Sequence, residues 1–159
     1  MTALVYVDTN VFVVGFETSG EHSQAVRNFL SALQEGPRRA ITSELTLAEL
    51  LAPVSRAHGM SQSTRRRLYF DLLLWSGLIE LRPVSRDVLI ETADLRKVAR
   101  HKLPDAIHVV TATRAKCSYF LSDDEGMKRL PQGIKRVRAD HAGVAEVVRA
   151  LSQANDLPQ

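Results

Sequence analysis

Cysteine and long apolar runs are both scarce in this sequence, and each shortage excludes a class of protein. Cys117 is the only cysteine among 159 residues, which excludes an internal disulfide and a zinc-type cluster of cysteines. No apolar run reaches the roughly 18 residues that a membrane helix needs. The start, Met1–Leu4, lacks the charged and apolar regions of a signal peptide. We therefore expect a cytoplasmic protein that works in a reducing compartment and has no membrane partner.

The charge balance permits nucleic-acid binding but does not establish it. The formal net charge is +3 and the pI is about 9.3. Binding to a nucleic-acid backbone depends on local basic patches more than on the total charge. Basic residues concentrate in the segments 65–67, 96–102 and 135–138. Each segment taken alone is more typical of a solvated face.

Strand-like and helix-like patterns alternate along the chain. The predicted strands are residues 4–7, 40–42, 78–82, 119–121 and 134–137. The predicted helices are residues 21–34, 44–57, 62–76, 86–100, 104–116 and 140–153. Such alternation predicts a single α/β domain with a parallel sheet and helices on both faces. We assign residues 1–154 to this domain and residues 155–159 to a loose C-terminal tail.

Four acidic positions stand beside apolar segments, where a carboxylate is costly. Asp8 directly follows the strand 4–7, and Asp123-Asp124 follow the strand 119–121 after one serine. Sites in α/β sheets form beyond the carboxyl ends of the strands. Asp105 opens a largely apolar helix, and Glu49 lies in a helix that is apolar nearly all round. A carboxylate in such surroundings needs a cation or hydrogen bonds.

Each acid also has a purely structural explanation. Asp8 could cap a helix that begins at Thr9 or Asn10. The helix dipole favours an acid in a first turn, as at Asp105. The aspartates at 123 and 124 could cap a turn, and Glu49 could pair with a distant arginine.

Taken together, the acids favour a metal site. Carboxylates that lie close to one another repel, and the repulsion raises their pKa values unless a cation is present. Oxygen ligands without thiols select Mg²⁺ or Mn²⁺. Such a site suits the hydrolysis of phosphodiester bonds.

Four segments resemble the acidic motifs of the PIN domain family, and within it the VapC-type toxins of type II toxin–antitoxin pairs. The segments are Val7–Val11, Ser43–Leu50, Leu103–Ile107 and Phe120–Asp124. Their acids are 41, 56 and 19 residues apart, and the resemblance covers nearly the whole chain. The last motif departs from the family pattern in three ways. Ser122 stands where threonine is usual, Gly126-Met127 replaces an aromatic residue, and Asp123 is an alternative to Asp124.

The resemblance implies a fold, an activity and partners. It implies a central parallel sheet of strand order 3-2-1-4-5 and a Mg²⁺ or Mn²⁺ site formed by Asp8, Glu49, Asp105 and Asp124. It implies endonucleolytic cleavage of RNA, a homodimer and inhibition by a cognate antitoxin. The alternatives within the family are an RNA-processing nuclease that is not a toxin and a scaffold that binds RNA or protein without cutting. A dehalogenase-like phosphatase is disfavoured, because it needs an aspartate where Asn10 stands.

Neighbouring residues have expected supporting roles. Thr9, Asn10 and Ser122 are expected to hydrogen-bond the carboxylates and fix their geometry. His108, one turn past Asp105, could also support the carboxylates, but we expect it to be a core or surface histidine. Basic residues are expected to guide the RNA backbone: Arg65, Arg66, Arg67, Arg96, Arg100, Lys102 and Lys128.

Overall fold

The computed structural model describes residues 3–36, 39–54, 59–127 and 129–153, and a parallel sheet runs through the middle of this part. The strands are β1 (Val5–Val7), β2 (Ala40–Ser43), β3 (Ile79–Arg82), β4 (Tyr119–Leu121) and β5 (Lys135–Val137). Their order is β3-β2-β1-β4-β5, and every neighbouring pair is parallel. The predicted fold class and strand order are therefore confirmed.

Helices cover both faces of the sheet. They are α1 (Thr9–Glu17), α2 (Glu21–Glu35), α3 (Leu45–Leu51), α4 (Gln62–Phe70), α5 (Arg86–Val98), α6 (Leu103–Arg114) and α7 (His141–Gln153). Val5 and Val7 of β1 face a core built mainly with α1, α2 and α7, whereas Tyr6 faces a second core with Val109 of α6. This alternation follows from the two-residue period of a strand. None of the described helices is long and apolar enough to cross a membrane.

The helix predicted over residues 44–57 is shorter than expected. α3 ends at Leu51, and Ala52 is extended with φ −61° and ψ 141°. Pro53 accounts for this end, because the residue before a proline avoids the helical region. Residues 55–58, which belonged to the predicted helix, lie outside the described part of the chain.

The predicted helix over 62–76 is α4 followed by a π-helical turn, Asp71–Trp75. The turn places Trp75 at the surface, with 76% of its area exposed, beside the half-exposed Leu74. Two other predictions fall on undescribed residues, since Lys128 and the tail 155–159 lie outside the described ranges.

Candidate active site

Asp8 and Ser122 lie side by side where the two central strands end. Asp8 follows β1 and caps α1, and its Oδ1 accepts a hydrogen bond from the Thr9 backbone N–H at 2.9 Å. Ser122 follows β4 and donates its hydroxyl to Asp8 Oδ2 at 2.7 Å. The Asp8 side chain is thus held from two sides while only 5% of the residue is exposed. The structural and the functional interpretations of Asp8 are compatible, because the same residue caps α1 and lies at the carboxyl end of β1, where sites form in α/β sheets.

Burial leaves the Asp8 carboxylate costly to ionise. Burial raises its pKa, and Glu49 raises it further, whereas His108, Ser122 and the Thr9 backbone lower it. The result is a pKa above the ordinary value. A carboxyl group in this state gains strongly from a nearby cation.

Glu49 reaches the same region from α3, which begins just after β2. Its Oε1 lies 3.1 Å from Nε2 of His108, and its side chain is 30% exposed. Burial by itself raises the pKa of Glu49, but the hydrogen bond with His108 and the electrostatic interaction between the two side chains, with a hydrogen bond from Thr9, bring the pKa below its ordinary value. Glu49 has no arginine partner in the described structure, so the expected alternative of a buried salt bridge with arginine is not observed.

Asp105 and Asp124 form a second acidic pair. Asp105 lies in the first turn of α6, and Asp124 follows β4. Burial raises the pKa of Asp105 and the charge of Asp124 raises it further, against smaller opposing effects of His108, Lys102 and His101. The pKa of Asp105 therefore lies above its ordinary value, mainly because the carboxyl group is partly buried and secondarily because of the nearby charge of Asp124.

The two adjacent aspartates after β4 have different environments. Both carboxylate oxygens of Asp123 are engaged in structural contacts: Oδ2 lies 3.0 Å from His22 Nδ1, and Oδ1 accepts from the Ala139 backbone N–H at 2.8 Å. Within the described ranges, the one hydrogen bond to the Asp124 carboxylate comes from the Gly126 backbone N–H, at 2.8 Å to Oδ1. The geometry thus favours Asp124 over Asp123 as the acid of the site. A Cβ at position 126 would lie 3.1 Å from Asp124 Oδ1, so glycine suits this turn.

The supporting residues contact the acids only partly in the expected way. Ser122 bonds Asp8 as predicted and also accepts the Asp124 backbone N–H at 3.0 Å, so it joins two acids. Thr9 bonds Asp8 through its backbone, while its hydroxyl lies 3.3 Å from His108 Nε2. Asn10 Oδ1 accepts the Asp123 backbone N–H at 3.4 Å and contacts no acidic side chain of the described part.

One of the predicted RNA-binding residues is in the wrong place for that role. Arg65 is only 3% exposed, and its Nε donates to Glu17 Oε1 at 2.7 Å, so the expectation that it guides RNA is wrong. The remaining described candidates are exposed: Arg66, Arg67, Arg96, Arg100 and Lys102. Of these, Arg96, Arg100 and Lys102 line one surface cavity of about 580 Å³. Lys102 also acts on the charge of Asp105, which places this basic surface beside the acids.

The acids provide the donor type that hard cations prefer, but they do not form a closed ligand cluster. Among the described residues, no group of three or more His, Cys, Asp or Glu side chains is arranged to hold a metal ion. Nor does any of the four acids form a salt bridge with a lysine or arginine of the described ranges. Mg²⁺ and Mn²⁺ prefer carboxylate oxygens of this kind, and the raised pKa values of Asp8 and Asp105 mean that a cation would favour their ionised forms. Binding one ion through three of these side chains requires some of them to turn inward.

Comparison with known proteins decides the family. The PIN domain family matches residues 5–133, which is most of the chain. The chain belongs to the PIN domain family. A solved toxin–antitoxin complex from Klebsiella pneumoniae shares the fold of this PIN domain, with a TM-score of 0.58 and 21% sequence identity. The similarity covers 82% of this chain and 94% of that one. No curated protein matches the chain.

The sequence interpretation of this PIN domain gave no role to Tyr6 and disfavoured a supporting role for His108. His108 was expected to be a core or surface histidine; it is buried, but it also contacts Glu49. Tyr6 lies inside β1, and its hydroxyl is 2.6 Å from His108 Nδ1. The signals were present in the sequence, since each is a hydrogen-bonding side chain within an otherwise apolar strand or helix, and such groups need a partner.

Proposed function

We propose that this PIN domain is a Mg²⁺- or Mn²⁺-dependent endoribonuclease that cleaves RNA phosphodiester bonds. The observation that carries the proposal is the set of acids at one edge of the sheet, Asp8, Glu49, Asp105 and Asp124, with no lysine or arginine of the described ranges in a salt bridge to them. Burial, with a smaller contribution from a neighbouring acid, raises the pKa of Asp8 and Asp105, and a divalent cation would offset this cost of ionisation. PIN domains are generally nucleases, and phosphodiester hydrolysis would use the cation that these acids bind.

The residues of the site divide the work between them. Asp8, Asp105 and Asp124 would hold the cation, with Ser122 and the Thr9 backbone fixing Asp8. A bound Mg²⁺ or Mn²⁺ would supply positive charge at the phosphate and lower the pKa of water. Glu49 would bind a second cation or orient the attacking water. In-line attack of water on phosphorus expels the 3′-oxygen, so the products carry 5′-phosphate and 3′-hydroxyl ends.

The RNA would cross the basic surface beside Asp105. Arg96, Arg100 and Lys102 line one cavity, and Arg100 also lines the neighbouring cavity with Arg129. Contacts of this kind bind phosphates without reading sequence and position the chain. Arg66 and Arg67 are exposed on α4 and remain further candidates.

The biological role that we propose is that of a cytoplasmic VapC-type toxin, acting as a homodimer and held by a cognate antitoxin. The support is the fold shared with a chain of a toxin–antitoxin complex, together with the PIN domain itself. An antitoxin should suppress cleavage when it is bound and restore cleavage when it is removed. An RNA-processing nuclease without a toxin role would cut RNA but have no such inhibitor.

The first experiment is cleavage of a structured RNA pool with Mg²⁺, Mn²⁺ or EDTA. Asp8→Asn and Asp105→Asn should abolish metal-dependent cutting, whereas Asp71→Asn, at an exposed acid of the π-helical turn, should not. End analysis should find 5′-phosphates, and 2′,3′-cyclic phosphates would refute the water-attack mechanism. A folded protein that cuts no RNA under any metal condition would favour the non-catalytic scaffold.

A further inference from the structure

His108 lies at the centre of a hydrogen-bond chain that runs from the sheet to the candidate active site. The residue is 1% exposed, and both of its ring nitrogens are engaged. Nδ1 lies 2.6 Å from the Tyr6 hydroxyl, and Nε2 lies 3.1 Å from Glu49 Oε1. Nε2 is also 3.3 Å from the Thr9 hydroxyl. One buried ring thus connects strand β1 with the carboxylate on α3.

The direction of the chain follows from Glu49. An ionised carboxylate can only accept, so the 3.1 Å contact of Glu49 Oε1 requires a proton on Nε2 of His108. In a neutral imidazole Nδ1 then accepts, and the Tyr6 hydroxyl is the donor of the 2.6 Å contact. The same hydroxyl oxygen accepts the Ser43 N–H at 3.1 Å, which is compatible with that direction.

We propose that His108 is a positioning residue that holds the Glu49 side chain in the active site, and that Tyr6 fixes the imidazole tautomer that this requires. The proposal rests on the function proposed above, because it assigns Glu49 to the reaction. His108 itself touches neither substrate nor reacting atoms; it acts through Glu49.

The surroundings of Glu49 show why such a support is needed. A glutamate has three side-chain torsions, and this one is 30% exposed with no salt bridge to a lysine or arginine of the described chain. His108 Nε2 lies within hydrogen-bond distance of its Oε1, and His108 lowers the pKa of Glu49 against the effect of burial, with a smaller contribution from the Thr9 side chain. Removing a residue that hydrogen-bonds a metal ligand commonly lowers metal affinity or activity by about 10- to 100-fold.

The tautomer can be measured without metal or RNA. Two-bond ¹H–¹⁵N correlation spectra of the full chain, with His108→Gln to assign the ring, distinguish the two neutral forms and the imidazolium. We expect His108 to carry its proton on Nε2 in the wild type, and Tyr6→Phe to populate the Nδ1–H form. A wild-type ring that is protonated on Nδ1 alone would overturn the proposal, as would an unchanged ring in Tyr6→Phe.

Titration with Mn²⁺ alone then separates positioning from packing. His108→Leu fills the space but has no donor, and we expect its Mn²⁺ dissociation constant to rise about 10- to 100-fold. His108→Gln keeps an N–H near the position of Nε2 and should recover most of the affinity. Tyr6→Phe should lie between them. Equal Mn²⁺ affinities together with equal rates of RNA cleavage by the folded Leu and Gln variants, checked by circular dichroism, would show that the ring only packs.

Measuring kcat and KM distinguishes failure of the positioning role of His108 from failure of the proposed ribonuclease function. If the wild type cuts RNA, His108→Leu should lower kcat with little change in the KM for RNA. If the wild type binds Mn²⁺ but does not cut RNA, the proposed function fails, while the tautomer and the order of affinities still decide the role of His108. Absence of Mn²⁺ binding by the wild type would refute both.

Discussion

Replacing Arg65 with methionine should destabilise the protein severely, although the residue lies in an arginine run that resembles an RNA-binding patch. Its Nε donates to Glu17 Oε1 at 2.7 Å, and the side chains of both partners are only 4% exposed. Its guanidinium also donates to the carbonyls of Leu50 and Ala52, where α3 ends. Arg65 therefore joins α4, α1 and the helix that carries Glu49.

The magnitude follows from the burial of the pair. Removing one member of a buried ion pair typically costs about 3–5 kcal/mol, because the other charge is left buried without its partner. Glu17 Oε2 would still accept the Tyr69 hydroxyl at 2.6 Å, which favours the lower end of this range. A loss of about 3 kcal/mol is a large part of the roughly 5–15 kcal/mol by which domains are stable.

Urea unfolding followed by circular dichroism measures this loss. Arg67→Met, at an exposed position of the same helix, is the matched control and should change the free energy of unfolding by no more than about 0.5 kcal/mol. Glu17→Gln combined with Arg65→Met should be less destabilised than the sum of the two single changes, because they share one interaction. If Arg65→Met lost less than about 1 kcal/mol and instead weakened RNA binding, the buried pair would be the wrong explanation.

Three further predictions concern charge and reactivity. Burial and then the charge of Asp124 raise the pKa of Asp105 in the folded protein, so ionising this group lowers the free energy of unfolding. The loss of stability is absent below the ordinary pKa of aspartate. It grows as the pH rises from the ordinary pKa to the folded-state pKa, and it is complete above the folded-state pKa. Asp105→Asn in EDTA should therefore be more stable than the wild type at pH 7 in urea unfolding, with the difference vanishing towards pH 3, and a destabilised variant would contradict this. Burial raises the pKa of Cys117 to about 12, so its thiol should react with a disulfide reagent at pH 8 only after unfolding, and fast reaction of the native protein would refute its burial. Arg100→Gln and Lys102→Gln should each reduce the slope of log binding constant against log salt by about 0.7 for single-stranded RNA, and unchanged slopes would place the RNA elsewhere.

Most of the fold could be predicted because its signals are local. The apolar runs that became β1 and β4 are short and uninterrupted, and each is followed at once by an acid or a serine. The strand order came from the family resemblance rather than from the periodicity. The end of α3 was predicted too late, since the apolar pattern around Glu49 continues past Pro53 and outweighed the effect of the proline.

The rest of the site depends on partners that are distant in sequence. Arg65 and Glu17 are 48 residues apart, and Tyr6 and His108 are 102 apart, so neither pair leaves a local pattern. The choice between Asp123 and Asp124 was open for a different reason. Both aspartates follow the strand β4 closely, and only the contacts of Asp123 with His22 and the Ala139 backbone distinguish the two.

The π-helical turn makes the intrinsic fluorescence of the protein sensitive to binding at one surface. Trp75 is the sole tryptophan of the sequence, and the turn leaves it 76% exposed, so the intrinsic emission of the native chain should be nearly that of a tryptophan in water. Any second copy or protein partner that covers residues 68–75 must shift this emission to shorter wavelength and shield it from a soluble quencher. A partner that covers only the acidic edge of the sheet would leave both properties unchanged. The emission wavelength of Trp75 would thus show whether a partner covers residues 68–75 or the acidic edge.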